Sequence, residues 1–324
     1  MKPVIRAAGA ATLAFAAALA SAAASSYPEK PVTMVVPFPP GGSSDMVART
    51  LGPKLSASLG QSFVVENQAG ATGAIGAARV KRAPADGYTI LVASIGVYAT
   101  NPFLQKGLQY DPAKDFDLLT VAVRAPNVLV ANPSVPANTV AELIDYLKKN
   151  PDKVSFASSG AGSSDHLTAA LFWQRTGTTG IHVPYKGGGP AIQDLIAGHA
   201  QVSFQNINSV LNHIRSGKLK ALAVTADKRS AVLPDVPTLA ETGVKGVEVS
   251  SWQAVAAPKG LPKDVNEKLH GAIVKALNDP DVRKNLTEQG FEVVGNSQEQ
   301  FATFLTQELA RWKAVIETGK ITLD

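Results

Sequence analysis

Cysteine is absent from all 324 residues. That excludes a disulfide framework, a thiolate zinc site and a lipid-anchored cysteine near the N-terminus. The five histidines, His166, His182, His199, His213 and His270, include no i, i+4 pair, so a metal site would have to be scattered along the chain. Each reads as a surface or packing residue, and neither a metal nor a cofactor is expected. Long blocks of one charge are missing among the 31 Lys+Arg and 26 Asp+Glu, which removes the basic stripe of a nucleic-acid partner. Gly-x-Ser-x-Gly does not occur, so there is no nucleophile elbow. Gly-x-x-x-x-Gly-Lys-Ser/Thr is absent too, and the triple glycine Gly187 to Gly189 lacks the last glycine of a dinucleotide fingerprint.

The N-terminus sets the compartment. Lys2 and Arg6 precede an uncharged run from Ala7 to Ala24, with small residues at Ala20, Ala22 and Ala24. This is the pattern of an export signal over residues 1–24 that is cleaved near Ala24. Alanine is a weak membrane former and the chain turns polar at Ser25 and Ser26, short of the ~20 strongly apolar residues of a span. Removal of Lys2 and Arg6 lowers the formal charge from +5 to +3. Later stretches do not reach membrane-spanning length, so a mature protein free in the periplasm is expected, as a monomer.

At roughly 100 to 200 residues per domain the length predicts two compact units. β-branched runs predict strands at Val32–Val36, Phe63–Glu66, Thr89–Ala93, Leu118–Val123, Val128–Ala131, Val154–Ala157, Ile181–Val183, Val202–Phe204, Leu219–Thr225 and Trp252–Ala256. Helical periodicity lies between them: Val47, Leu51, Leu55 and Leu59 recur every four residues, and Thr139 with Glu142 forms a capping box. Two further helices follow, one with Val265, Leu269 and Ile273 and one with Phe301, Leu305 and Trp312. Alternation of this kind predicts an α/β fold with mostly parallel sheets. Arg124 to Asn127 and Gly243 to Gly246 are candidate hinge crossings.

Three segments share one grammar of strand, glycine turn and helix start: PFPPGGSSD over 37–45, SSGAGSSD over 158–165 and HVPYKGGGPAIQDL over 182–195. Glycine lets a backbone approach a ligand, and the free N–H groups of a first helical turn, with the macrodipole, favour an anion. Ser43 or Ser44, and Ser163 or Ser164, are expected as caps, and Pro190 as a first helical residue. Asp45 and Asp165 lie in first turns, where a carboxylate also offsets the dipole. Strand ends of this kind from two lobes would converge on one cleft.

PVTMVVPFPPGGSSDMVAR, ADGYTILVAS, HVPYKGGGPAIQDLIAG and LPDVPTLAETG followed by Trp252, in that order, resemble the Bug family, the extracytoplasmic solute receptors of tripartite tricarboxylate transporters. The similarity runs from about Tyr27 to the C-terminus. It implies a two-lobed periplasmic-binding-protein fold of the Venus-flytrap kind, type II-like, with residues 25–124 and 250–324 as one lobe and 125–249 as the other. It also implies an organic acid ligand and membrane permease subunits as partners. The acid is expected between the loop carrying Phe38, Pro40, Gly41, Gly42, Ser43 and Asp45 and the loop carrying Tyr185, Lys186, Gly187, Gly188 and Gly189, all as ligand-binding residues. Thr72 and Ser94, with Ser159, Ser163 and Asn206, match pocket positions of the family. Lys186 reads either as a partner for a second ligand carboxylate or as a solvated loop lysine. A sensory receptor without a permease, or a secreted hydrolase using Ser43 or Ser163, are the other readings.

Overall fold

The computed structural model describes residues 27–319, 321 and 322. The export signal expected at residues 1–24 lies outside them. In chain order come β1 (Val32–Val36), α1 (Ser43–Leu59), β2 (Phe63–Asn67), a 3-10 turn at Ala71–Gly73, α2 (Ala74–Arg82) and β3 (Thr89–Ser94). A π-helical turn at Gly96–Thr100 leads into α3 (Asn101–Leu104), then β4 (Phe116–Ala131), α4 (Val140–Lys149), β5 (Ser155–Ser158), α5 (Ser164–Thr176) and β6 (Ile181–Pro184). After these come α6 (Gly188–Ala197), β7 (Val202–Asn206), α7 (Ile207–Arg215), β8 (Lys220–Val224) and β9 (Ser250–Pro258). The chain closes with α8 (Lys263–Asn278), α9 (Pro280–Glu288), β10 (Glu292–Val293) and α10 (Gln298–Gly319).

The strand order is β2-β1-β3-β9-β4-β7-β5-β6, with β8 and β10 also paired to β4. Strands whose residues are buried on both faces, such as β1 with Val32, Met34, Val35 and Val36 fully enclosed, take the inner positions. Parallel pairing links β1 to β2 and β3, and β5 to β6 and β7. The middle is antiparallel: β9 runs against β3 and β4, and β4 against β7 and β8. The sheet is therefore mixed, where alternation of strands and helices predicted mostly parallel pairing. Alternation reports the helical crossovers and carries no signal for two long strands that run between the halves.

The candidate hinge crossing at Arg124 to Asn127 lies within one continuous strand, where the sequence predicts two separate strands, Leu118–Val123 and Val128–Ala131. Up to Pro126, which pairs with Ser250, β4 is laddered to β9; from Asn127, which pairs with Asn206, it is laddered to β7. Proline offers no N–H to a ladder, and it falls where the partner changes. Asn127 ties the exchange together. Its N–H donates to Thr225 Oγ1 at 2.9 Å, and its side-chain amide donates to Thr168 Oγ1 at 3.0 Å.

The C-terminal segment returns to the first part of the chain. Glu292 and Val293 of β10 pair with Arg124 and Val123. Phe301, Leu305 and Trp312 of α10 are buried, and Trp252 stacks on Tyr98 at 5.6 Å between ring centres, with Phe304 edge-on at 5.1 Å. Glu308 is buried there with its carboxylate accepting from the indole N–H groups of Trp252 and Trp312 at 2.8 and 3.0 Å. Among the described residues no helix is long and apolar enough to cross a membrane.

Candidate functional site

Three helices far from the cleft are closed at their N-termini by side chains, while α8, behind Pro262, is not. Thr139 accepts from Glu142 N–H, Asp279 from Asp281 and Val282 N–H, and Ser297 from Gln300 N–H. Three helices that start at the cleft are not. The N-cap residues of α1, α6 and α7 are Gly42, Gly187 and Asn206, and none makes a side-chain cap bond. In α1 the first intrahelical bond runs from Met46 N–H to the Gly42 carbonyl, so the amides of Ser43 and Ser44 have no intrahelical acceptor. Ser43 and Ser44 are thus the first two helical residues and do not cap. Pro190 is the third residue of α6, so Gly188 and Gly189 precede it with their N–H groups free of the helix ladder. Ser163 does cap α5, accepting from His166 N–H.

These starts surround one cavity of about 60 Å³. From the first half of the chain Phe38, Gly42, Ser43, Thr72 and Ser94 line it; from the second, Ser159, Ser163, Gly187, Gly188, Gly189 and Asn206 do. Tyr185 and Lys186 line an adjoining chamber of about 490 Å³ that shares Phe38, Thr72, Ser159 and Gly187 with the first. The Tyr185 hydroxyl donates to Asp194 at 2.7 Å, and burial, with this bond adding to it, pushes the phenol up to about 12. Pro40, Gly41 and Asp45 line neither chamber. Asp45 instead braces the first loop from behind: it accepts from Gly41 N–H at 2.9 Å, Arg49 Nε at 2.9 Å and Asn67 Nδ2 at 2.9 Å. Asn67 Nδ2 also donates to the Phe38 carbonyl at 3.1 Å. Despite burial these donors hold the Asp45 carboxyl below the ordinary aspartate range.

The halves touch across the cavity. Ser43 Oγ donates to Asn206 Oδ1 at 3.1 Å and accepts from Asn208 Nδ2 at 3.0 Å. Thr72 Oγ1 donates to the Ala161 carbonyl at 3.2 Å and Thr100 Oγ1 to the Gly162 carbonyl at 2.7 Å. Gly187 has φ +121°, and a Cβ there would stand 3.0 Å from Pro39 Cδ on the facing loop. Among the described residues no three His, Asp or Glu are grouped to hold a metal ion.

A family model described as the tripartite tricarboxylate transporter family receptor matches residues 47–321. The chain belongs to this family. The protein BugT of Bordetella pertussis is 40% identical over 309 residues, 95% of each chain. A solved structure described as a periplasmic transporter superposes with a TM-score of 0.89 at 42% identity, covering 92% of this chain and 100% of that one. The periplasmic binding protein BugD superposes with a TM-score of 0.88 at 38% identity over 91% and 99% of the two chains. MatC from Rhodopseudomonas palustris, solved with bound malate, gives 0.86 at 33% identity over 90% and 100%. The receptor is a periplasmic solute-binding protein with the two-lobed fold, as the sequence motifs implied.

Several cavity residues of this receptor carry no turn motif. Gln205 lies one residue before Asn206, at the end of β7. Ser251 and Gln253 sit two apart on β9, and both are buried. After Ser250 at the strand's start, Ser251 and Gln253 are two polar residues at period two in an otherwise apolar strand, and this is the one sequence signal that marks them. Ser44, Ser164 and Asp165 adjoin predicted residues, and Asp165 was legible only as a first-turn carboxylate.

Proposed function

We propose that this receptor captures a small organic acid between residues 25–124 with 250–324 on one side and 125–249 on the other, and delivers it to the membrane subunits of a tripartite tricarboxylate-type transporter. One observation carries the reading: helix starts from both sides of the cleft, left without side-chain caps, line a single small cavity. Unpaired amides at a helix start, with the macrodipole behind them, form an anion site without any basic side chain. Hydrogen bonds to a charged acceptor contribute about 1.5 to 3 kcal/mol each, so donors that meet the same carboxylate only when the halves are together favour the closed form. The adipate-bound and malate-bound structures of R. palustris relatives support carboxylates as the ligand class.

A hydrolase reading has less support in the geometry. Ser43 Oγ is engaged by two asparagines and Ser163 Oγ by the Gly160 carbonyl and the His166 amide. The Ser158–His182 pair, at 2.6 Å, lies outside the cavity lining. Calorimetric titration with a panel of mono-, di- and tricarboxylates tests the proposal. At least one acid is expected to bind in the micromolar range or tighter, about −8 kcal/mol. Flat titrations across the panel would overturn it.

A further inference from the structure

The strands that join the two halves have two faces, and each face carries a cavity. On β9, Ser251 and Gln253 line the inner cavity of the cleft, while Ser250 and Trp252 line a separate pocket of about 530 Å³. Side chains alternate across a strand, so the two spaces lie on opposite faces of β9. The neighbouring β4 repeats the division. Arg124 and Pro126 line the larger pocket, whereas Asn127 turns to the other side, where its Oδ1 accepts from Nδ2 of the cavity residue Asn206.

Both halves of the chain build this rear pocket. Residues 225–232 and Glu248 supply one wall, and Glu292 of β10 with Phe304 and Arg311 of α10 supply the other. Arg124 is held to its own half by two bonds to Glu292, at 2.8 and 2.7 Å, and Arg311 Nη2 donates across to the Glu248 carbonyl at 2.5 Å. In front, the halves are bonded through Ser43, Thr72 and Thr100 and leave about 60 Å³ between them. Behind, they stand apart over about 530 Å³. A rotation about strands that lie between two such spaces narrows one as it widens the other.

We propose that the rear pocket is the counter-space of the hinge: it is wide while the cleft is shut, it narrows as the cleft opens, and a group seated in it holds the receptor closed. Packed atoms do not interpenetrate, so a filled rear pocket removes the open form from the population and adds no contact to the ligand in front. Occupants of the two spaces therefore strengthen each other by the same factor. The inference rests on the halves closing over the cleft, and it is independent of which molecule the cleft takes.

The lack of cysteine lets the pocket be filled in the folded protein. Ser230 lines it and is half-buried, and Ser230→Cys exchanges a single atom. Its thiol is modified with a methyl methanethiosulfonate, which leaves most of the pocket empty, or with a biphenyl one, which fills it; melting curves confirm that both adducts are folded. Small-angle scattering without any acid is expected to give the biphenyl adduct the smaller radius of gyration, shifted toward that of the shut arrangement described above. An equal or larger radius would overturn the inference. In calorimetry, an acid that binds the methyl adduct is expected to bind the biphenyl adduct at least about threefold more tightly. Equal or weaker binding by the biphenyl adduct would overturn it as well. Flat titrations of both adducts, with the difference in radius present, would remove the carboxylate reading and leave this one standing.

Discussion

His166 and His182 show how a single residue pair sets the response of stability to acid. Their rings stack with centres 3.8 Å apart, with Gly162 N–H donating to His166 Nδ1 at 3.0 Å and Ser158 Oγ 2.6 Å from His182 Nε2. Both partners belong to the glycine-serine loop at the cavity, so the imidazoles act as its struts. Burial, with the second ring adding to it for His166, pulls His166 down to about 3, and burial pulls His182 to about 4. An unfolded chain takes up these protons near 6.5, before the folded one does, so stability falls as pH drops from 6.5 toward 4. His166 contributes up to about 1.4 kcal/mol per pH unit in that window, and half-buried His182 less. Burial raises the Asp165 carboxyl, which works the other way: its contribution is present below the ordinary aspartate value and declines as pH rises. Urea unfolding at pH 7.0, 6.0 and 5.0 is expected to show the midpoint falling throughout, with a shallower fall in His166→Gln. Equal slopes for the two proteins would show that the ring pair is not the source.

Helix starts in this receptor divide into those completed by side chains and those left open; α1, α6 and α7 at the cavity are open, as is α8 away from it, and α5 at the cavity is capped by Ser163. An open start is a small local weakness: serine, threonine, asparagine or aspartate at an N-cap stabilises a helix by about 0.5 to 2 kcal/mol over alanine, and by a few tenths over glycine. Gly42 has φ −83° and ψ 171°, which any residue adopts, and a Cβ there meets nothing closer than 4.0 Å. Nothing in the local backbone demands glycine. Gly42→Asp is therefore expected to raise the melting temperature slightly or leave it unchanged, because it completes the cap of α1. The same change should abolish acid binding, since the new carboxylate occupies the donors and repels the ligand. Retained affinity in Gly42→Asp would show that the α1 amides do not hold the anion. Most of this was legible in the chain: nine of the ten strands, the capping box at Thr139 and the three glycine turns all come from spacing and turn chemistry, while the two-residue β10 carries no such signal. The partners of Asp45 were not, because Asn67 is 22 residues away in β2 and only the β1–β2 pairing brings it alongside. Ser251 and Gln253 were hidden for a similar reason: they reach the cavity from β9, by register and not by motif.

At the scale of the molecule, the two halves are joined through β4, β9 and the segment before Ser250, and they meet again around the cavity and where α10 packs against α5. Such a design leaves relative motion to the few residues where β4 exchanges partners, Pro126 and Asn127, and leaves the closed state to contacts across the cleft. Thr100 is the cleanest handle on that state. Its hydroxyl donates to the Gly162 carbonyl at 2.7 Å, it is fully buried, and it does not line the cavity. Thr100→Val keeps the shape and deletes the donor, leaving the Gly162 carbonyl unpaired when the halves are together and free to meet water when they part. The net loss of one such bond, about 0.5 to 1.5 kcal/mol, falls on the closed form alone. Ligand affinity is then expected to drop by about 2- to 12-fold, although no contact with the ligand has changed. Small-angle scattering should show a larger radius of gyration without ligand for the variant than for the unaltered protein, converging at saturation. A variant with unchanged affinity and unchanged scattering would mean that closure draws nothing from this bond, and that the Ser43–Asn206–Asn208 cluster and the Thr72–Ala161 bond carry it.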